Sequence, residues 1–246
     1  MFKLALDAGH YLGTAGKRCP KELDQNETRE WWLNNRVAVK VENLLMAYED
    51  IAILRVDDRT GVKKVSTKDR ADAANEWNAD FYLSLHFNGT DKIFSGGGIV
   101  AFCYGKGSKA SFEWRDILYD ALIEHTGLKG NRATPKATAS YDVVRLTKMP
   151  AVLLEMGFMT SRVDCPIILT EKHADKCAAA IVEIIVNRNG LVKKREHTAY
   201  TVQINETYTE TEGKKIVAEL TAKGYPAQLV LNRERNFNAD GTRRIC

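Results

Sequence analysis

Ala79-Asp80-Phe81-Tyr82-Leu83-Ser84-Leu85-His86-Phe87-Asn88 is the stretch on which the reading of the fold turns. Phe81 to Phe87 is a short, largely apolar run closed by a histidine, the pattern of a buried strand. Toward the N-terminus, Thr67 is an N-cap for a helix through Asn78, and Ile51 to Val56 is a second strand. From Glu30, residues Leu33, Val37, Val41, Leu44 and Leu45 recur at helical spacing, and Lys3 to Ala8 is a strand ended by Gly9. Toward the C-terminus, Gly96-Gly97-Gly98 lacks the lysine and helix start of a phosphate loop and reads as a bend before the strand Gly98 to Tyr104. Ser108 to His125 is helical, Ala151 to Glu155 is an apolar strand after Pro150, and Glu171 to Val186 is a helix with Ala174, Cys177, Ala178, Ile181 and Ile185 on one face. Strands alternating with helices predict an α/β fold, three-layer α/β/α with a mostly parallel sheet, over residues 1–190.

Beyond Gly190 the character changes. Residues 191–198 form a polar link, and 199–246 read as a small β-α-β module: a strand Tyr200 to Ile204, a helix Thr209 to Lys223, and a strand Gln228 to Leu231. A unit of that size buries little surface alone. It either leans on the main domain or pairs with a second copy.

The 246 residues are 44% hydrophobic and 28% charged, values for a soluble globular chain rather than a disordered or fibrous one. A net charge of +4 is too small to argue for nucleic acid as a partner. No apolar run reaches membrane-span length, so membrane insertion is not expected, and Met1-Phe2-Lys3-Leu4-Ala5-Leu6-Asp7 is no secretory signal, which places the chain in a cytoplasm. The five cysteines form no C-x-x-C pair, and Cys103 and Cys177 read as buried, reduced thiols.

Chemistry gathers where strands end. His10 follows the first strand, His86 closes the Phe81 strand and Glu155 closes the Ala151 strand. Ligands of open α/β sheets bind outside the carboxyl ends of the strands, so these groups converge if the strands are neighbours. Glu30 leads the buried stripe of its helix, and a coreward carboxylate needs a partner such as a cation. Two imidazoles and one carboxylate form a common catalytic zinc set, and a further carboxylate is then available as general base. On spacing alone each histidine also fits a hydrogen-bonded loop residue, and Glu30 a cap or an arginine partner. Asn88 is placed either to bind substrate or to form the turn after its strand.

Leu6-Asp7-Ala8-Gly9-His10, Arg29-Glu30 and Ala79 to Asn88 resemble the metal-binding blocks of family 3 N-acetylmuramoyl-L-alanine amidases. Pro150-Ala151-Val152-Leu153-Leu154-Glu155-Met156-Gly157-Phe158 resembles the block that bears the family's catalytic glutamate, and Arg70, Ala74-Asn75 and Leu169-Thr170 agree as subsidiary positions. The likeness spans residue 3 to about 188 with its blocks in order. It implies His10, Glu30 and His86 as ligands of Zn2+ and Glu155 as the catalytic base. Glu27, one turn from Glu30, is the competing third ligand, and Cys19 a remoter one. Where the family commonly has a glycine pair, Tyr11-Leu12 stands here, followed by an inserted-looking loop, Lys17-Arg18-Cys19-Pro20, which alters the substrate rim.

The implied reaction is metal-assisted hydrolysis of the amide between the lactyl group of N-acetylmuramic acid and L-alanine of the stem peptide, with peptidoglycan as partner. The tail resembles the first half of a sporulation-related (SPOR) peptidoglycan-binding domain, which suggests wall targeting and a homodimer formed through that module. An amidase without a signal, carrying such a tail, fits a bacteriophage endolysin held in the host cytoplasm until release. A bacterial autolysin or spore-former lytic amidase, a non-catalytic wall-binding protein and a zinc amidohydrolase acting on free peptides are the alternatives.

Overall fold

The computed structural model describes residues 1–130, 134–194 and 209–222. The strands are β1 (Phe2–Ala8), β2 (Ile51–Arg55), β3 (Phe81–Asn88), β4 (Val100–Cys103), β5 (Lys136–Thr138) and β6 (Ala151–Phe158). They form one six-stranded sheet in the order β2-β1-β3-β6-β4-β5. Pairing is parallel from β2 through β6, and β4 runs antiparallel to β6 with β5 parallel to β4. The expected α/β fold with a mostly parallel sheet is therefore present.

Alternation along the strands builds two cores. Leu4, Leu6 and Ala8 of β1, Leu83 and Leu85 of β3, and Val152 and Leu154 of β6 face α1 (Glu30–Leu45), α3 (Lys109–Thr126) and α6 (Glu171–Asn189). The opposite parity, with Ala5, Tyr82 and Leu153, packs with Ala74 of α2 (Thr67–Glu76) and Val143 and Val144 of α4 (Asp142–Arg145). The second face has the lighter cover, a helix of ten residues and one of four. Asp7, Ser84, His86 and Glu155 share the parity of that second face, so the fold delivers them to one side of the sheet.

Three local readings are corrected. Ser66, not Thr67, caps α2, its side chain accepting from Asp69 N, and the helix ends at Glu76 rather than Asn78. The Ala151 strand continues past Glu155 to Phe158. Leu44, on the helical stripe, is 44% exposed, because the buried stripe of α1 passes through Val41 and Leu45 instead. Strand β5, helix α4 and α5 (Cys165–Ile168) are additions too short to leave a periodic signature. Cys103 and Cys177 are buried free thiols, as are Cys19 and Cys165.

The first compact unit ends at Lys194, beyond Gly190, because residues after the α6 cap pair back: Glu49 N donates to Val192 O at 2.8 Å and Lys194 N to Ala47 O at 2.7 Å. Residues 195–246 form a separate unit. Its described part is α7 (Glu210–Ala222), which realises the expected helix. Thr209 and Glu212 close a reciprocal capping box at its start, with Glu212 N donating to Thr209 Oγ1 and Thr209 N to Glu212 Oε2. The expected strands Tyr200 to Ile204 and Gln228 to Leu231 lie outside the described residues. No helix among the described residues is long and apolar enough to cross a membrane.

Candidate active site

Strands β1, β3 and β6 are consecutive neighbours, so their carboxyl ends open onto one place. His10 is set there by Gly9, whose N–H donates to Leu85 O at 3.0 Å. A Cβ on Gly9 would lie 2.1 Å from Cε1 of His86, so only glycine lets β1 end against that ring. His10 itself is left-handed, with φ 67°, a conformation a non-glycine residue keeps only where its surroundings over-determine it. Arg70 does so from α2. Its Nη2 donates to His10 O at 2.6 Å, and its Nη1 donates to Ala8 O at 2.9 Å and to Asp7 Oδ1 at 2.5 Å. Asp7 is completed by Ser84 Oγ at 2.7 Å and Tyr82 Oη at 3.1 Å. Burial pushes the Asp7 carboxyl up, but Arg70, His86 and Ser84 outweigh it and hold it below the usual range.

Glu30 is brought in by α1. Leu33, Val37 and Val41 seat this helix in the first core, which turns its opening residue inward, and Glu30 N donates to Lys17 O at 3.0 Å. One turn on, the buried Asn34 donates from Nδ2 to Gly9 O at 3.0 Å, so the same helix braces the His10 turn. Glu30 Oε1 lies 2.9 Å from Nδ1 of His86 and 3.2 Å from Nε2 of His10, and the two rings stand edge to face at 4.9 Å. Glu30 Oε2 is buried with no hydrogen-bond partner, the ammonium of Lys17 being 3.7 Å away. Burial raises the Glu30 carboxyl, yet the histidine hydrogen bonds and charges prevail and keep it ionised. Burial lowers His10 more than Glu30 raises it, whereas His86 ends raised because Glu30, Glu155 and Asp7 all face it.

Glu155 is the register partner of His86 on the adjacent strand. Both line a cleft of about 810 Å³ with His10, Arg70, Lys17 and Tyr141. Thus His10, Glu30 and His86 come together and Glu155 stands beside them. Glu27 does not join them: it is partly exposed and paired with Arg18 at 3.3 Å. Cys19 is fully buried in the first core. Asn88 is absent from the cleft lining, and its Oδ1 accepts from Gly89 N at 2.8 Å, the turn-forming arrangement.

Four groups were not read as part of the site. Asp7 and Arg70 sit in quoted blocks, but their pairing spans two distant segments. Asn34 carried a usable signal, being four residues from Glu30 and hence on the same helical face. Lys17 carried none beyond its place in the inserted loop.

The donor atoms of His10, Glu30 and His86 all lie within 4.8 Å of one another. Two imidazole nitrogens and a carboxylate oxygen are the ligand types of a catalytic zinc site, and a buried carboxylate oxygen without a hydrogen bond is a group that a cation would satisfy. The residues present fit the metal.

A family model described as N-acetylmuramoyl-L-alanine amidase matches residues 4–187. The chain is 28% identical over 240 residues to the N-acetylmuramoyl-L-alanine amidase CwlM of Bacillus licheniformis, covering 95% of this chain and 86% of the relative. It is 27% identical over 191 residues to an endolysin of Bacillus phage SPP1, covering 77% of this chain and 66% of that one. Among solved structures, an N-acetylmuramoyl-L-alanine amidase from Clostridium difficile 630 superposes with a TM-score of 0.68 at 26% identity, covering 77% of this chain and 97% of the other.

Proposed function

The chain belongs to the N-acetylmuramoyl-L-alanine amidase family, and on that premise we propose that it is a zinc-dependent peptidoglycan amidase. It cuts the bond between the lactyl group of N-acetylmuramic acid and L-alanine. The observation that carries the reading is the single Glu30 oxygen shared by His10 and His86, with Glu155 in register beside His86 at the edge of an open cleft.

His10, Glu30 and His86 would hold the metal, and a bound zinc supplies a Lewis acid and lowers the pKa of water at the site. Glu155, across the strand pair from His86, takes the proton from the attacking water at its carboxylate. It then returns that proton to the nitrogen of L-alanine as the amide opens. Arg70 holds the backbone of His10 in place while Asp7 keeps that guanidinium fixed. The polymer would enter by the cleft at the carboxyl ends of the strands, whose rim includes Thr67 of α2 and Asp142 of α4.

The test is Glu155→Gln. It should retain zinc by metal analysis while release of N-terminal alanine from purified walls falls about 10²–10⁴-fold. In the wild-type protein a chelator should abolish that release. Near-normal turnover by the variant would overturn the assignment.

The setting we propose is phage-driven lysis, supported by the likeness to the SPP1 endolysin. A second reading, a bacterial lytic amidase, is favoured by a different observation: the likeness to the Bacillus licheniformis enzyme covers 95% of this chain and so extends into the tail. Expression in a Bacillus host tests the phage setting. An endolysin leaves growing cells intact until the membrane is permeabilised, then lyses them within minutes; walls left whole after permeabilisation contradict the phage setting.

A further inference from the structure

Trp32 stands two residues into the helix that carries Glu30, yet 56% of its surface is exposed. Its ring packs edge to face on Trp31 at 5.7 Å, and Trp31, 3% exposed, lies so close under Gly61 that a Cβ there would reach the Trp31 indole at 2.6 Å. An indole seated on a buried neighbour and open to solvent offers a large contact face with only two side-chain torsions to fix. It forms one wall of a groove of about 830 Å³ along the outer side of α1, with Asn26, Asn35, Val39 and Asn43 among its lining.

Two of the cations lining this groove are already paired. Arg36 donates to Ile168 O and Leu169 O and meets Glu171 at 3.3 Å, while Lys40 is 2.8 Å from Glu171 and 2.6 Å from Asp175. With Arg36 and Lys40 paired, the groove offers carboxamides and an aromatic platform, which suit a polyhydroxylated, amide-bearing ligand. It also adjoins the cleft. Thr14 lines the cleft and its backbone oxygen accepts from Arg29 of the groove at 3.5 Å, and the backbones of Arg18 and Arg29 form an antiparallel β-bridge.

We propose that the outer groove of α1 is a glycan subsite, in which an N-acetylated sugar of the wall polymer stacks on Trp32 as the neighbouring muramoyl unit occupies the cleft. The inference rests on the amidase reading for the identity of the polymer. The probe is wall glycan stripped of its stem peptides, added to the full chain. Hydrogen exchange should show protection over residues 26–43. Trp32→Ala should weaken strand binding roughly tenfold, as for an aromatic anchor, and raise KM on intact walls. It should leave kcat/KM on a soluble muramoyl peptide unchanged, and Trp32→Phe should recover most of the binding. Protection confined to other segments, or unaltered affinity of Trp32→Ala, would overturn the subsite. So would burial of Trp32 that grows with protein concentration in the absence of glycan, since that marks contact between copies of the chain. Stripped strands contain no scissile amide, so failure of the amidase reading would appear as lost cleavage with this binding intact.

Discussion

With 1% of its surface exposed, Glu30 would carry a desolvation penalty of several kcal/mol if it stood alone. His10 and His86 offset that penalty only on the Oε1 side, at 3.2 and 2.9 Å, and Oε2 remains without a hydrogen bond. The pattern gives a prediction that separates Glu30 from its neighbour. Glu30→Gln keeps the size of the side chain but removes the charge, and should lose zinc to below stoichiometric levels in metal analysis. Glu27→Gln, which breaks only the exposed pair with Arg18, should retain a full equivalent. Equal zinc in the two variants would remove Glu30 from the ligand set. The convergence of the histidines and Glu155 was legible in the sequence because each lies at or near the carboxyl end of a strand, although β3 runs two residues past His86 and β6 three past Glu155. Asp7, Arg70 and Lys17 were not, since what they do depends on contacts between segments far apart in the chain. No local pattern of residue types encodes the Arg70 hydrogen bond to His10 O.

Strands β1, β3 and β6 set the spacing of the site, and at one point their approach leaves no slack. Gly9 ends β1 directly under the His86 ring, where a methyl group would sit 2.1 Å from Cε1. Gly9→Ala should therefore displace the ring rather than be absorbed. The expected result is a loss of about 1–3 kcal/mol of stability, typical of overpacking, read as a lower denaturant midpoint. Zinc affinity should fall with it; unchanged affinity would mean that the two strand ends adjust independently. Elements with enough residues to show a period were readable from sequence, as α1, α3 and α6 were. Strand β5 has three residues and α4 four, and both owe their conformation to neighbours rather than to their own pattern. The Ser66 cap was missed by one residue because serine and threonine stand side by side and both are competent to cap.

At the scale of the whole chain, the division into two compact units, Met1–Lys194 and Arg195–Cys246, lets the role of the tail be tested apart from the chemistry. All four residues assigned to the chemistry, and both cores, lie within Met1–Lys194. A truncation meant to test the tail must respect the pairing of residues 192 and 194 with 47 and 49, so it belongs after Lys194 rather than after Gly190. A chain ending at Lys194 should fold, bind zinc and cleave soluble muramoyl peptides at the full-length rate, because the residues assigned to the chemistry all lie within Met1–Lys194. On intact walls it should lose both sedimentation with the wall and most of its lytic activity if residues 199–246 tether the enzyme. Tethering raises the effective concentration of a catalytic domain at an insoluble substrate by orders of magnitude without changing its active site. The comparison is decisive in either direction. Equal action on walls and on soluble fragments would strip the tail of a targeting role and leave wall contact to the catalytic unit, where Trp32 is the exposed aromatic nearest the start of α1. Loss on both substrates would instead mean that the tail supports the catalytic fold itself.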